Sequence, residues 1–258
     1  MMNHKRYISV VFIWLLSISC IWAQTNPYRI GSPHYWMAQG TLDIHAGKFD
    51  IAYEHLEKAQ KGYRELGDVG FQIQATEAMG ALKAGLGEWE KAKQHYLNAL
   101  QIATEANEDF AQSKVMVDLL ALYRTVGDII GYNQYLKALD SLYHVSNSAK
   151  LKTVYHLYWS NEYLARKEFA MVETQLLQCW DVMQDLPFSD REQAKLNYYS
   201  SMMNLKQQQR QYKDAIRAAK HYIEQTKILN GRNSDQQYQA YSNLCTLYAL
   251  DNDSTKAF

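Results

Sequence analysis

The sequence predicts an all-α chain, a right-handed solenoid of antiparallel helix pairs in about five and a half repeats. Three observations carry that expectation. Glycines recur at 47, 87 and 127, a step of 40 residues. Each is followed two residues on by an apolar anchor, Phe49, Trp89 or Ile129, and then by a segment with small or apolar residues at matching offsets. Only three prolines interrupt 258 residues while tyrosine occurs 20 times, a composition suited to long helices whose grooves are filled by rings.

Residues 1–23 stand apart from the array and read as an export signal. His4, Lys5 and Arg6 make a basic start, Tyr7 to Ile21 is almost wholly apolar, and Ile21, Trp22 and Ala23 offer a cleavage site before Gln24. A membrane anchor needs about 20 apolar residues, and this run is shorter and meets polar Gln24, Thr25 and Asn26. Cys20 leaves a lipid anchor as the alternative, although Ser17, Ile18 and Ser19 before it lack the leucine usual in lipoprotein signals. The expected location is therefore periplasmic or cell-envelope. Without Lys5 and Arg6 the balance of 27 basic against 27 acidic residues becomes 25 against 27, so bulk charge recruits no nucleic acid. After the signal no apolar run is long enough to span a bilayer.

Residues 24–32 then act as a linker and the array runs over 33–258. The first repeat carries Trp36, Gly40, Gly47, Phe49, Ala52, Leu56 and Ala59; the second carries Met79, Gly80, Gly87, Trp89, Ala92, Tyr96 and Ala99. Phe49, Ala52, Leu56 and Ala59 lie at spacings of three and four, one face of a helix, with small residues where a neighbour must approach. The third repeat keeps Tyr123, Gly127, Ile129 and Leu136 but has Tyr132 for the alanine, and the fourth keeps Tyr163, Phe169 and Leu176 with Lys167 at the turn. After the Leu186, Pro187, Phe188 break, Ser189 with Glu192 predicts a capped helix beginning past Asp190, and Tyr212, Ala215 and Ala219 mark the fifth repeat. Residues 230–234, Asn-Gly-Arg-Asn-Ser, read as a helix stop and linker. The sixth repeat supplies one full helix, about Asp235 to Leu250, with Tyr241, Leu244, Cys245 and Tyr248, then a turn from Asp251 and only 254–258, including Ala257, of a second. An array usually ends on a complete helix with a polar outer face, so a fragment or early-terminated frame is expected.

Cys179 falls where Ala59 and Ala99 stand, and Cys245 where Gly40 and Gly80 stand. Both are therefore expected as buried thiols without a disulfide, and two isolated thiols lack the company that a zinc site needs. His55 and His95 share one repeat position, read as solvated helix surface. His34 and His45 share a face but lie roughly 16 Å apart at 1.5 Å per residue, too far for one metal. No His-Glu-x-x-His, glycine-rich phosphate loop or Gly-x-Ser-x-Gly elbow occurs. Neither an enzymatic activity nor a cofactor is expected.

These residues resemble the tetratricopeptide repeat family, a helix-turn-helix unit with the pattern Trp, Leu-Gly, Tyr, then Ala, an aromatic and Ala. Gln39 and Asp43 depart from it in the first repeat, and the 40-residue step exceeds the family's minimal 34. The excess is expected to lengthen the helices and connections such as 64–68 and 105–109, as in arrays resembling those of bacterial regulatory and signalling proteins. Another helical-pair solenoid with repeats near 40 residues is the alternative.

The resemblance implies binding of a protein or peptide in the concave groove made by the first helix of each repeat. Carried over residue by residue, the groove comprises His34, Met37, Thr41 and His45; Gln74 and Glu77; Lys114, Val117 and Arg124; Leu157 and Asn161; and Asn197, Ser200, Asn204 and Gln207. Asn161 and Asn204 take the family's backbone-contacting asparagine position. Of the lysines that complete a carboxylate clamp only Lys114 is in place, so the implied groove is a neutral polar one. Three functions follow: a noncatalytic exported scaffold, the extracytoplasmic sensor of a histidine kinase or helix-turn-helix regulator, or an envelope assembly factor held by a lipid on Cys20.

Overall fold

A computed structural model describes residues 29–230 and 235–251, so the expected export signal over 1–23 with Cys20, most of the expected linkers at 24–32 and 230–234, and the segment 252–258 with Ala257 lie outside the described residues. The fold is an all-α helical repeat. Among the described residues there are eleven helices: α1 Pro33–His45, α2 Phe49–Leu66, α3 Val69–Gly85, α4 Trp89–Glu105, α5 Asp109–Val126, α6 Ile129–Val145, α7 Ala149–Ala165, α8 Phe169–Met183, α9 Phe188–Gln208, α10 Tyr212–Asn230 and α11 Asp235–Leu250. They divide into two compact units, Met1–Tyr132 and Asn133–Phe258, with the division inside α6. Consecutive helices pack side by side from α1 to α5 in the first unit and from α7 to α11 in the second, as in a helical-repeat solenoid.

The turn joining the two helices of a repeat explains the glycine spacing. Gly47, Gly87 and Gly127 have φ of 72°, 75° and 75°, the left-handed region that glycine enters without strain. The following amide closes the helix end by donating back to the carbonyl five residues earlier: Lys48 to Asp43 at 2.8 Å, Glu88 to Lys83 at 2.9 Å and Asp128 to Tyr123 at 2.9 Å. The same bonds recur as Glu168 to Tyr163 at 2.9 Å and Gln211 to Lys206 at 2.8 Å, around Lys167 and Arg210, which both hold φ of 60°. Five turns are thus built alike, two of them on a side chain that prefers another conformation.

Counted from the turn residue, three of the second helices, α2, α4 and α8, bury all four positions 5, 9, 12 and 16 residues on, a stripe that a 3.6-residue period keeps on one face. In α2 these are Ala52, Leu56, Ala59 and Tyr63; in α4, Ala92, Tyr96, Ala99 and Ala103; in α8, Val172, Leu176, Cys179 and Met183, all buried. Each fully buried leucine in that stripe contributes about 2 kcal/mol. The opposing position lies seven residues before the turn. A Cβ on Gly40 would sit 3.0 Å from Leu56, and one on Gly80 would sit 2.8 Å from the Tyr96 ring, so glycine there is required by close approach. In the fifth repeat the sizes are exchanged: bulky Met203 and small Ala219 share one buried cluster.

Several expectations change. The connections between repeats stay short: α2 reaches Leu66, Gly67 takes φ of 69°, and the Asp68 carboxylate already caps α3 by accepting from the Phe71 amide at 3.3 Å. The added length lies in the helices, typically 17 or 18 residues in α2 to α7. Helix α9 begins at Phe188 with Pro187 as its cap residue, ahead of the Ser189 start, because proline in an extended conformation (ψ 153°) ends the preceding turn there. Glu192 is buried against Lys195 at 2.7 Å instead of reaching back to a cap.

Cys179 is buried as expected, and burial pushes its thiol up to about 12. Cys245 is exposed, contrary to the small-packing reading. His55 and His95 are not solvated surface either. Both are half-buried: His55 pairs with Asp43 at 2.9 Å and stacks on Trp36, and His95 shares a 3.2 Å hydrogen bond with Tyr53 Oη. Desolvation holds the His95 imidazole below its ordinary range.

Candidate binding surface on the first helices

Fourteen of the fifteen groove candidates fall on four positions of the first helices, 13, 10, 6 and 3 residues before the turn. Spacings of three, four and three place them on one helix face. His45, two residues before the turn, is the exception and is exposed.

The position ten residues before the turn is a seam. Met37, Glu77, Val117, Leu157 and Ser200 occupy it, and every one is half-buried. Met37 packs against the buried clusters around Leu56 and Ala59, and Leu157 against that of Leu164, Val172 and Leu176. The cause is helical geometry: this position lies three residues before the buried one at Gly40 and Ser160, so it shares their stripe. His34, although on the neighbouring position, also turns inward, its ring 5.1 Å from Tyr63 and 4.8 Å from Phe71. Gln74 and Asn197, at that same position in other repeats, are exposed, whereas Lys114 is half-buried.

The position six residues before the turn faces solvent. Thr41, Asn161 and Asn204 are all exposed there, with the Thr41 hydroxyl donating to the Met37 carbonyl at 3.0 Å. Arg124 is exposed and Gln207 half-buried at the last of the four positions.

In the first unit the structure brings together Glu77 of α3 and Lys114 of α5, whose side chains meet at 2.8 Å. Asp118, one turn beyond Lys114, joins them through a hydrogen bond to the Glu77 carboxyl. Burial, then the negative charge of Glu77, pushes the Asp118 carboxyl up to about 7, with Lys114 opposing the shift. Two carboxyls and one ammonium therefore share a partly buried site, and a proton completes it near neutrality.

In the second unit the Ser201 hydroxyl of α9 reaches Asn161 Oδ1 of α7 at 3.4 Å. Asp118 and Ser201 both stand nine residues before their turns, a position held by Ala38 and Ala78 in the first two repeats. The only sequence signal for them is that replacement of alanine by a polar group. Near the turn end of α9, Asn204 and Gln207 line a cleft of about 440 Å³ together with Leu164, Gln208, Arg210, Tyr212 and Leu250. Nothing in the sequence marks Gln208, Arg210 or Tyr212 as lining residues.

Among the described residues no three His, Cys, Asp or Glu side chains come together as metal ligands, and no helix is long and apolar enough to cross a membrane. No protein-family model matches the chain, and no curated protein sequence does. Among solved structures the chain is similar to the crystal structure of BtubC (BKLC) from P. vanneervenii, with 17% identity and a TM-score of 0.58, covering 81% of this chain and 86% of that one. At that identity the likeness is one of fold.

Proposed function

We propose that this chain is an exported, noncatalytic scaffold of the tetratricopeptide type that binds a protein or an extended peptide along the first-helix face of its repeats. One observation carries the reading. In each unit one pair of alternate first helices comes into direct backbone proximity, α3 with α5 and α7 with α9, whereas the second helices α2 and α4 meet through long side chains, Tyr53 with His95. The first-helix face is thus the closely drawn side where these pairs meet, and of its exposed residues Gln74, Asn161, Asn197 and Asn204 are uncharged hydrogen-bonding groups, with Arg124 the charged one among the groove candidates on that face. Side-chain amides both donate and accept, which suits an extended backbone. The tetratricopeptide assignment is supported by the left-handed turns that recur at a 40-residue step from Gly47 to Lys167 and by the small-against-aromatic pairing of Gly80 with Tyr96.

The test places a photo-crosslinking amino acid at Gln74 or Asn197 on first helices, and at the exposed second-helix residues Gln94 or Gln178 as controls, in the exported chain in its host. Adducts of defined mass are expected from the first pair. Adducts confined to Gln94 and Gln178 would place the partner on the opposite face and end the proposal.

A further inference from the structure

The cleft at the turn end of α9 has a chemistry distinct from the neutral stripe beside it. We propose that it takes an acidic segment of a peptide, with a carboxylate on Arg210, backbone groups on the Asn204 and Gln207 amides, and an aliphatic side chain against Leu164 and Leu250. The assignment rests on the peptide-binding reading above and names the class of peptide.

Size comes first. A cleft of about 440 Å³ lies within the range of ligand sites, roughly 300–1,000 Å³. Its walls are three primary amides, one phenol, one guanidinium and two leucines, and Arg210 is their only ionised group. Among the described residues, no hydrogen bond or ion pair engages the side chains of Asn204, Gln207, Gln208, Arg210 or Tyr212. Carboxylates on neighbouring helices are already taken: Glu173 accepts from Lys206 and Gln209, and Asp214 pairs with Arg217. The guanidinium therefore has no internal counter-ion among these neighbours, and its planar fork matches a carboxylate.

Helix α10 adds to the same sign. Its first residue, Tyr212, is part of the wall, so the partial positive charge of a 19-residue helix end lies at the cleft. The leucines select against a bare inorganic anion, because an occupant that covers them must carry apolar surface of its own. The amides favour a peptide over a simple dicarboxylate, since they match both the donors and the acceptors of a backbone.

The backbone supplies an unusually clean variant. Arg210 holds φ of 60°, the conformation for which the other turns use Gly47, Gly87 and Gly127, so R210G removes the charge while relaxing the turn. A random heptapeptide library displayed on phage is panned on the full chain, and the selected peptides are synthesised with blocked termini. The expected result is enrichment of Asp or Glu beside an aliphatic residue, with binding weakened about tenfold by R210G and similarly by Asp-to-Asn or Glu-to-Gln exchange in the peptide. Peptides that bind without acidic enrichment, or bind R210G as tightly as the parent, would overturn the cleft and leave the groove reading standing. Retention of no peptide would overturn both. Free glutarate competing as well as the peptide would make the site one for small dicarboxylates and remove the peptide assignment.

Discussion

Replacing Asp118 by asparagine should change how the stability of the chain depends on pH. In the folded protein the Asp118 carboxyl is pushed up to about 7 by burial and by Glu77, whereas in the unfolded chain it returns to about 3.9. Below that lower value the proton is bound in both states and the contribution is fully present. Between the two values the folded state holds a proton that the unfolded state has released, so stability falls as pH rises, and the loss is complete above about 7. At about 1.4 kcal/mol per pH unit, the interval from pH 5 to pH 7 corresponds to about 2–3 kcal/mol. In a chain of this size that is about 5–10 °C in Tm. The amide introduced by D118N cannot ionise yet still donates to Glu77, so the variant should lack this component and gain most at pH 8. Thermal melts of parent and D118N at half-unit steps from pH 5 to pH 8 provide the measurement. The difference between the two curves is the informative quantity, because His95 and His156, both held low by desolvation, titrate in each protein and cancel. Curves that run parallel across the range would refute the shared-proton account. K114M, which removes the one opposing charge, should move the window of loss to higher pH.

Three further outcomes follow from the packing. G80A should destabilise by about 1–2 kcal/mol, because over-packing against the Tyr96 ring outweighs the gain of about 1 kcal/mol in helix propensity. G85A, where a Cβ meets nothing within 4 Å, should stabilise; urea midpoints of the pair give opposite signs or the close-approach argument is wrong. K167G should stabilise by about 0.5–1 kcal/mol in the same assay, the relief of a left-handed lysine exceeding the added freedom of the unfolded chain. Maleimide should modify Cys245 in the native protein and reach Cys179 only on unfolding, as followed by peptide mass; native labelling of Cys179 would contradict its burial.

The repeat is legible wherever geometry restricts residue type. A left-handed turn and a helix crossing under an aromatic ring both ask for glycine, which is why positions 47, 87, 127, 40 and 80 can be read directly. Lys167 is placed by spacing alone and Arg210 escapes the pattern, because a strained turn carries no type signal once another residue occupies it. The start of α9 differs from expectation because Ser189 and Glu192 fit a capping pattern, while Pro187 and the burial of Glu192 against Lys195 decide the matter. His55 and His95 mislead for a different reason. Their partners, Asp43 twelve residues away and Tyr53 forty-two residues away, belong to other helices and leave no local trace.

The same limit governs the candidate surface. Helical period fixes which first-helix positions share a face, and so Glu77 and Lys114 can be assigned to it without any sign that they touch. What joins neighbouring first helices is set by a position that begins as Ala38 and Ala78 and becomes Asp118 and Ser201. Alanine there allows close approach and offers nothing to hydrogen-bond. Asp118 instead reaches across to Glu77, and Ser201 to Asn161, so each polar seam engages a residue of the candidate face. An incoming peptide must then compete with an internal partner at Glu77 and Asn161, but not at Asn204 or Arg210, for which the described residues provide none. Selectivity is therefore expected to reside near the fifth turn, where the polar side chains are still uncommitted.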